Sequence, residues 1–186
     1  MTAAFTRVLV PIDFRDHHSE NLDAVDAGDL EILEVGERKV ELTRASREAL
    51  LLACQNAGED TTIHLVHATP SYDQSRIYRG KSGAGILGSL DDLHREAAES
   101  AESVLRAAAD RHCADARVEV SAKAGHALHV ILDLARSWAA SIIVMPTSSH
   151  GAVARFFLGS TADRVIRDSP CPVLVVPGGP RPELTP

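Results

Sequence analysis

Five strand-length runs, apolar or alternating, parted each time by a stretch of helical periodicity, constrain this chain more than any other feature. The runs lie in Arg7–Asp13 (RVLVPID), Thr62–Ala68 (TIHLVHA), Arg117–Ala122 (RVEVSA), Ile142–Met145 (IIVM) and Val173–Val176 (VLVV). Ile142–Met145 and Val173–Val176 are apolar without a break, as strands covered on both faces are. Between the runs lie amphipathic segments. Ala45–Cys54 turns Leu50, Leu51 and Ala53 inward. Ser89–His112 starts on a Ser suited to an N-cap, with Asp91 and Asp92 in its first turn, and repeats Leu93, Ala97, Ala101, Val104, Leu105 and Ala108 at helical spacing. His126–Trp138 places Val130, Ile131 and Leu134 on one side. The last segment opens at Gly159-Ser160-Thr161, carries Ala162, Val165 and Ile166, and is stopped by Asp168, Ser169 and Pro170. Strands alternating with helices predict an α/β fold: a single doubly wound domain, with a mostly parallel sheet and helices on both faces. Ligands bind such sheets at the carboxyl ends of the strands. Asp13, His67–Ala68, Gly125 and Met145–Gly151 fall along that edge.

One segment breaks the alternation. Residues 15–44 separate the first strand from the first helix. Their second half, DLEILEVGERKVELT, alternates apolar and charged residues on either side of Gly36–Glu37. Leu30, Ile32, Leu33, Val35, Val40 and Leu42 predict an inserted β-hairpin, too short for a core of its own. The expected organisation is one domain over 1–178 with this insertion, then a Pro/Gly-rich tail at 179–186.

Composition narrows the function classes. A chain of 186 residues with a formal charge of −7 lacks the broad basic surface that nucleic acid demands. The longest apolar runs are strand-length, so no membrane span is expected, and Met1–Thr6 does not read as a signal peptide. Cys54, Cys113 and Cys171 are odd in number and lack metal-ligand spacing. They read as buried thiols in a reducing compartment, which places the protein in the cytoplasm.

Several segments together resemble the universal stress protein family: RVLVPIDF, ASREALLLA, VHATP, AGHALHVILDLA, SIIVMP and, most specifically, FFLGSTADRVIRDSPCPVLVVP. The likeness covers most of the chain outside 15–44 and the tail. It implies a nucleotide-binding, Rossmann-like fold with five parallel strands in the order 3-2-1-4-5. It also implies an adenine-nucleotide-binding stress-response or sensor protein, homodimeric through the last strand, Val173–Val176. ATP or another adenine nucleotide is the implied ligand.

Some members bind ATP through G-x2-G-x9-G-S/T after the fourth strand. An ungapped placement sets Gly159 and Ser160 on the final pair, Pro146 on the first glycine and Ser149 on the second. Pro146 has no N–H to give. A register two residues shorter matches His150–Gly151 instead and restores a glycine at Gly151. The resemblance further assigns Asp13 to the nucleoside, the Ala68 main chain to adenine, Met145 to the entry of the loop, and Thr161 to the phosphate beside Gly159 and Ser160. Against these stand plainer readings: helix capping at Gly159–Thr161 and an Asx turn at Asp13. With two motif positions altered, the alternative is a family member that binds no ATP and works as an interaction module, its inserted hairpin serving dimer or partner contacts.

Other motifs carry less. Gly83-x-Gly85-x-x-Gly88 follows no strand, and Gly80-Lys81-Ser82 has Ser75 where a P-loop needs glycine. His17, His18, His67, His126 and His150 gather at the predicted edge, but their simplest reading is loop histidines that do not meet, and no metal is assigned. No nucleophile–base pair is visible, so no catalytic residue is assigned; slow ATP hydrolysis is the most that the resemblance implies.

Overall fold

The computed structural model describes residues 5–16, 30–71, 90–147 and 159–178. Its elements follow in the order β1 (Arg7–Pro11), β2 (Phe14–Asp16), β3 (Leu30–Val35), β4 (Arg38–Thr43), α1 (Arg44–Gln55), β5 (Thr62–Thr69), α2 (Leu90–His112), β6 (Arg117–Ala124), α3 (Ala127–Ser137), β7 (Ile142–Thr147), α4 (Ser160–Asp168) and β8 (Val173–Pro177). Five strands form a parallel sheet in the order β6-β5-β1-β7-β8. That is 3-2-1-4-5 among the parallel strands, as expected. The most buried strands of the sheet, β1 and β7, lie inside it, where both faces are covered.

Side-chain alternation sorts the core into two layers. Val8, Val10, Leu65 and Val144 face α1 and α2, where Leu50, Val104, Leu105 and Ala108 meet them. Leu9, Val66, Ile143 and Met145 face α3 and α4, against Leu128, Ile131, Ala162 and Val165. Leu50, Leu105 and Val165 are fully buried.

The insertion forms a second, antiparallel sheet in the order β2-β4-β3. Its hairpin turns at Gly36–Glu37, and the left-handed φ of 60° at Gly36 suits a residue without Cβ. The hairpin packs on its own domain. Leu33, Val40 and Leu42 belong to the same core cluster as Leu105 and Ala108. Glu31 is clamped at its carboxylate by Arg111 Nε at 2.9 Å and His112 Nε2 at 3.0 Å, both at the end of α2. α1 and α2 thus supply the cover for Leu33, Val40 and Leu42, while Ile32 stays exposed.

The cysteine reading is corrected as well. Cys54, near the end of α1, and Cys113, directly after α2, form a disulfide with Cα atoms 5.4 Å apart. Cys171 alone is free. The inference of a reducing compartment, which rested on three thiols, falls with it. No helix among the described residues is long and apolar enough to cross a membrane.

On β5, against the edge strand β6, His64 is buried, its Nε2 2.8 Å from Ser121 Oγ and its Nδ1 3.5 Å from Glu119 Oε2. The second distance is too long for a hydrogen bond, and Nδ1 is left without one. Burial therefore dominates and holds the imidazole below its ordinary pKa of 6.5, while the Glu119 charge pulls weakly the other way.

The disulfide joins residues 59 apart in sequence, so loop-closure entropy gives it about 4 kcal/mol of stabilisation. Paired Cys54→Ser and Cys113→Ser replacements should lower Tm by roughly 10 °C, measured by calorimetry. Reductant should lower the parent protein's Tm towards the same value and leave the double variant unmoved.

Candidate functional site

At the carboxyl edge of the parallel sheet, β1 ends between β5 and β7, and the chain turns away to start the inserted sheet. The turn is held by a closed set of hydrogen bonds. Ile12 N–H donates to Val66 O at 2.8 Å, continuing the pairing with β5 by one residue. Asp13 N–H donates to Ser46 Oγ at 3.1 Å, and that hydroxyl donates back to Asp13 O at 3.1 Å. Ser46 is completely buried in the first turn of α1. Thr43, the N-cap of α1, donates its hydroxyl to Ser46 Oγ at 3.0 Å and accepts from Ser46 N–H at 3.3 Å. The Ser46 hydroxyl thus uses its one donor and both acceptor positions. Asp13 is left with a fixed backbone and an exposed side chain.

This edge borders a cavity of about 330 Å³, within the usual range for small-molecule sites. Its floor is apolar, from Val66, Ala68, Ile131 and Met145. Asp13 and His67 are its titratable lining groups, on the β1–β5 side. On the β7 side lie Gly159, Ser160, Thr161 and Ala162 at the start of α4. Gly159 caps that helix with φ 74° and ψ 144°, a backbone open to glycine alone, and among the described residues no side chain caps the first-turn N–H groups. Those groups carry the positive end of the helix dipole. The arrangement offers a carboxylate and an imidazole at one end, apolar walls between, and the N–H groups of a helix start at the other. It is suited to binding an elongated ligand with an anionic end.

Six of the eight residues singled out from sequence come together here: Asp13, Ala68, Met145, Gly159, Ser160 and Thr161 all line the cavity. Ser149 and Gly151 lie outside the described residues, as do the glycine motifs at 80–88, His17, His18 and His150. Pro146 continues β7 and pairs with Val176 of β8, so the first motif glycine of the ungapped register falls within a strand. Among the described residues no three His, Cys, Asp or Glu side chains gather as metal ligands. His126 instead caps α3, its Nδ1 accepting from Leu128 N–H at 3.3 Å.

The sequence reading missed Ser46. Its signal is the Thr43-x-x-Ser46 spacing at the start of α1, but nothing in that spacing tells of the chain end it grips.

The sequence model described as "Universal stress protein family" matches residues 40–177. Among curated proteins, the universal stress protein MJ0531 of Methanocaldococcus jannaschii is 26% identical over 132 residues, 71% of this chain and 72% of its own. Among solved structures, the universal stress protein UspA from Lactobacillus plantarum aligns over 94% of this chain and 99% of its own, with TM-score 0.55 and 18% identity. A universal stress protein family protein from Arabidopsis thaliana, solved with AMP bound, aligns over 97% of this chain and 96% of its own, with TM-score 0.50 and 16% identity.

Ser46→Ala removes the grip on both backbone groups of Asp13, two part-buried hydrogen bonds each worth about 0.5–1.5 kcal/mol. Hydrogen exchange should show faster exchange at Asp13 N–H, with the centre of β1 still protected.

Proposed function

The chain belongs to the universal stress protein family, and we propose that it serves there as an adenine-nucleotide-binding sensor in the stress response, working as a homodimer. The observation that carries this reading is the convergence on one cavity of Asp13, the apolar walls and the uncapped helix start at Gly159–Thr161. Helix N-termini bind phosphate through such N–H groups. A carboxylate accepts hydrogen bonds from ribose hydroxyls, and apolar walls suit a base. The relative solved with AMP adds support at the level of the fold. ATP or AMP is the expected ligand, with Asp13 at the nucleoside, the Ala68 main chain at adenine, Met145 beneath, and Gly159, Ser160 and Thr161 at the phosphates. Ser149 and Gly151, outside the described residues, are the further contacts proposed. Asp13 and His67 are the titratable groups of the described lining. The reading is of binding, with slow ATP hydrolysis the most that the family resemblance implies.

Pro146 favours a second reading. It gives the cavity no N–H where some relatives place a glycine, which weakens the phosphate end. The chain would then act as an interaction module without ATP, with the inserted sheet as the surface for a protein partner.

Calorimetric titration with AMP and ATP separates the two. The first reading expects binding in the micromolar range, lost in Gly159→Val because valine cannot hold φ 74°. No heat with either nucleotide at millimolar concentration would leave the interaction module.

The dimer rests on β8, an edge strand of the parallel sheet. Leu174 is 44% exposed there, beside half-buried Val173 and Val175. Two-fold pairing of β8 would satisfy its open backbone and cover these residues. Sedimentation should give a dimer for the parent chain and a monomer for Leu174→Lys.

A further inference from the structure

The base end of the cavity carries a group that the proposed function leaves unused. His67 lies on β5 and lines the cavity beside Asp13 and Ala68. Its orientation is fixed twice. Nδ1 is 2.8 Å from Ile12 O. A carbonyl only accepts, so Nδ1 carries the proton, and the neutral ring keeps its lone pair on Nε2. The Phe14 ring is stacked on the imidazole, with centroids 4.1 Å apart and planes inclined by 26°. Phe14 opens β2, and β2 is paired to β4 through Phe14 and Leu42. The inserted sheet therefore holds one wall of the pocket. No hydrogen-bond partner of Nε2 occurs among the described residues.

Position decides what that lone pair meets. The helix start lies beyond β7, two strands across from β5, a separation of about 10 Å. A nucleotide with its phosphate at Gly159–Thr161 lays its base towards β5. The side-chain atoms there, Nε2 of His67 and the carboxylate of Asp13, are both acceptors. We propose that His67 is a base-specificity residue, whose Nε2 accepts a hydrogen bond from the exocyclic amine of adenine. This rests on the nucleotide reading above. Hypoxanthine, which carries a carbonyl oxygen at that position, sets acceptor against acceptor. Unsubstituted purine offers nothing there.

The test compares AMP, IMP and purine riboside 5′-monophosphate by titration against the full chain. AMP should bind roughly tenfold tighter than the purine analogue, the worth of one neutral hydrogen bond, and IMP more weakly still. His67→Phe keeps an aromatic ring beside Phe14 and should bind AMP and the analogue equally. His67→Gln, which restores an acceptor, should recover part of the preference. Nitrogen NMR of the parent protein reads the same contact without substitution: the His67 Nε2 resonance should move with AMP and stay in place with the analogue. Equal affinity for AMP and the analogue in the parent, or a preference that survives in folded His67→Phe, or an Nε2 resonance that ignores AMP, overturns the role of His67 alone. Failure of all three nucleotides to bind the parent overturns the nucleotide reading and this inference together.

Discussion

The buried hydroxyl of Ser46 holds the end of β1, and the rest of the site hangs on that hold. β1 runs through the middle of the parallel sheet, paired to β5 on one side and β7 on the other. Beyond Ile12 its backbone would enter the cavity with unpaired polar groups. Ser46 satisfies both groups of Asp13 at once, and Thr43 satisfies Ser46. One turn of α1 therefore decides where Asp13 sits. Each bond is ordinary in strength, and together the four fix the backbone at Asp13.

The insertion strengthens the same region. Its apolar side, Leu33, Val40 and Leu42, completes the core beneath α1 and α2. Arg15 pairs with buried Glu41 within the extra sheet, and Arg38 holds Asp16 at 2.6 Å. Phe14 carries this rigidity to His67. The disulfide ties the ends of α1 and α2 together, so the two helices supporting the insertion are joined covalently as well as by packing. The insertion thus acts as a brace for the β1–β5 end of the cavity.

The parallel fold was legible in the sequence because it depends on patterns that local reading detects. Ile142–Met145 and Val173–Val176 show by unbroken hydrophobicity that they are covered on both faces. Gly36–Glu37 marks a hairpin between alternating runs, and it formed there. What the hairpin packs against was not legible, because Val40 and Leu42 state only that they need cover. The disulfide was hidden for a similar reason: Cys54 and Cys113 are brought together by helix packing across 59 residues. Asp13, Ala68, Met145 and Gly159–Thr161 could be assigned to one edge from sequence because they lie at strand ends or a helix start, and they line one cavity. Ser46 escaped because it binds backbone, which leaves no mark on the residue types of its partners. His67 was noticed as a metal-ligand candidate, whereas the structure gives it a carbonyl and a phenyl ring as neighbours.

The central claim is that one cavity joins the end of β1 to the uncapped start of α4 and takes a nucleotide lengthwise. Amide NMR spectra of the full chain with and without AMP test this most directly. The account predicts that the N–H resonances of Ser160, Thr161 and Ala162 move together with those of Asp13 and Ala68, saturating at one common AMP concentration. Shifts confined to other surfaces, or a spectrum unchanged by saturating AMP, would contradict it.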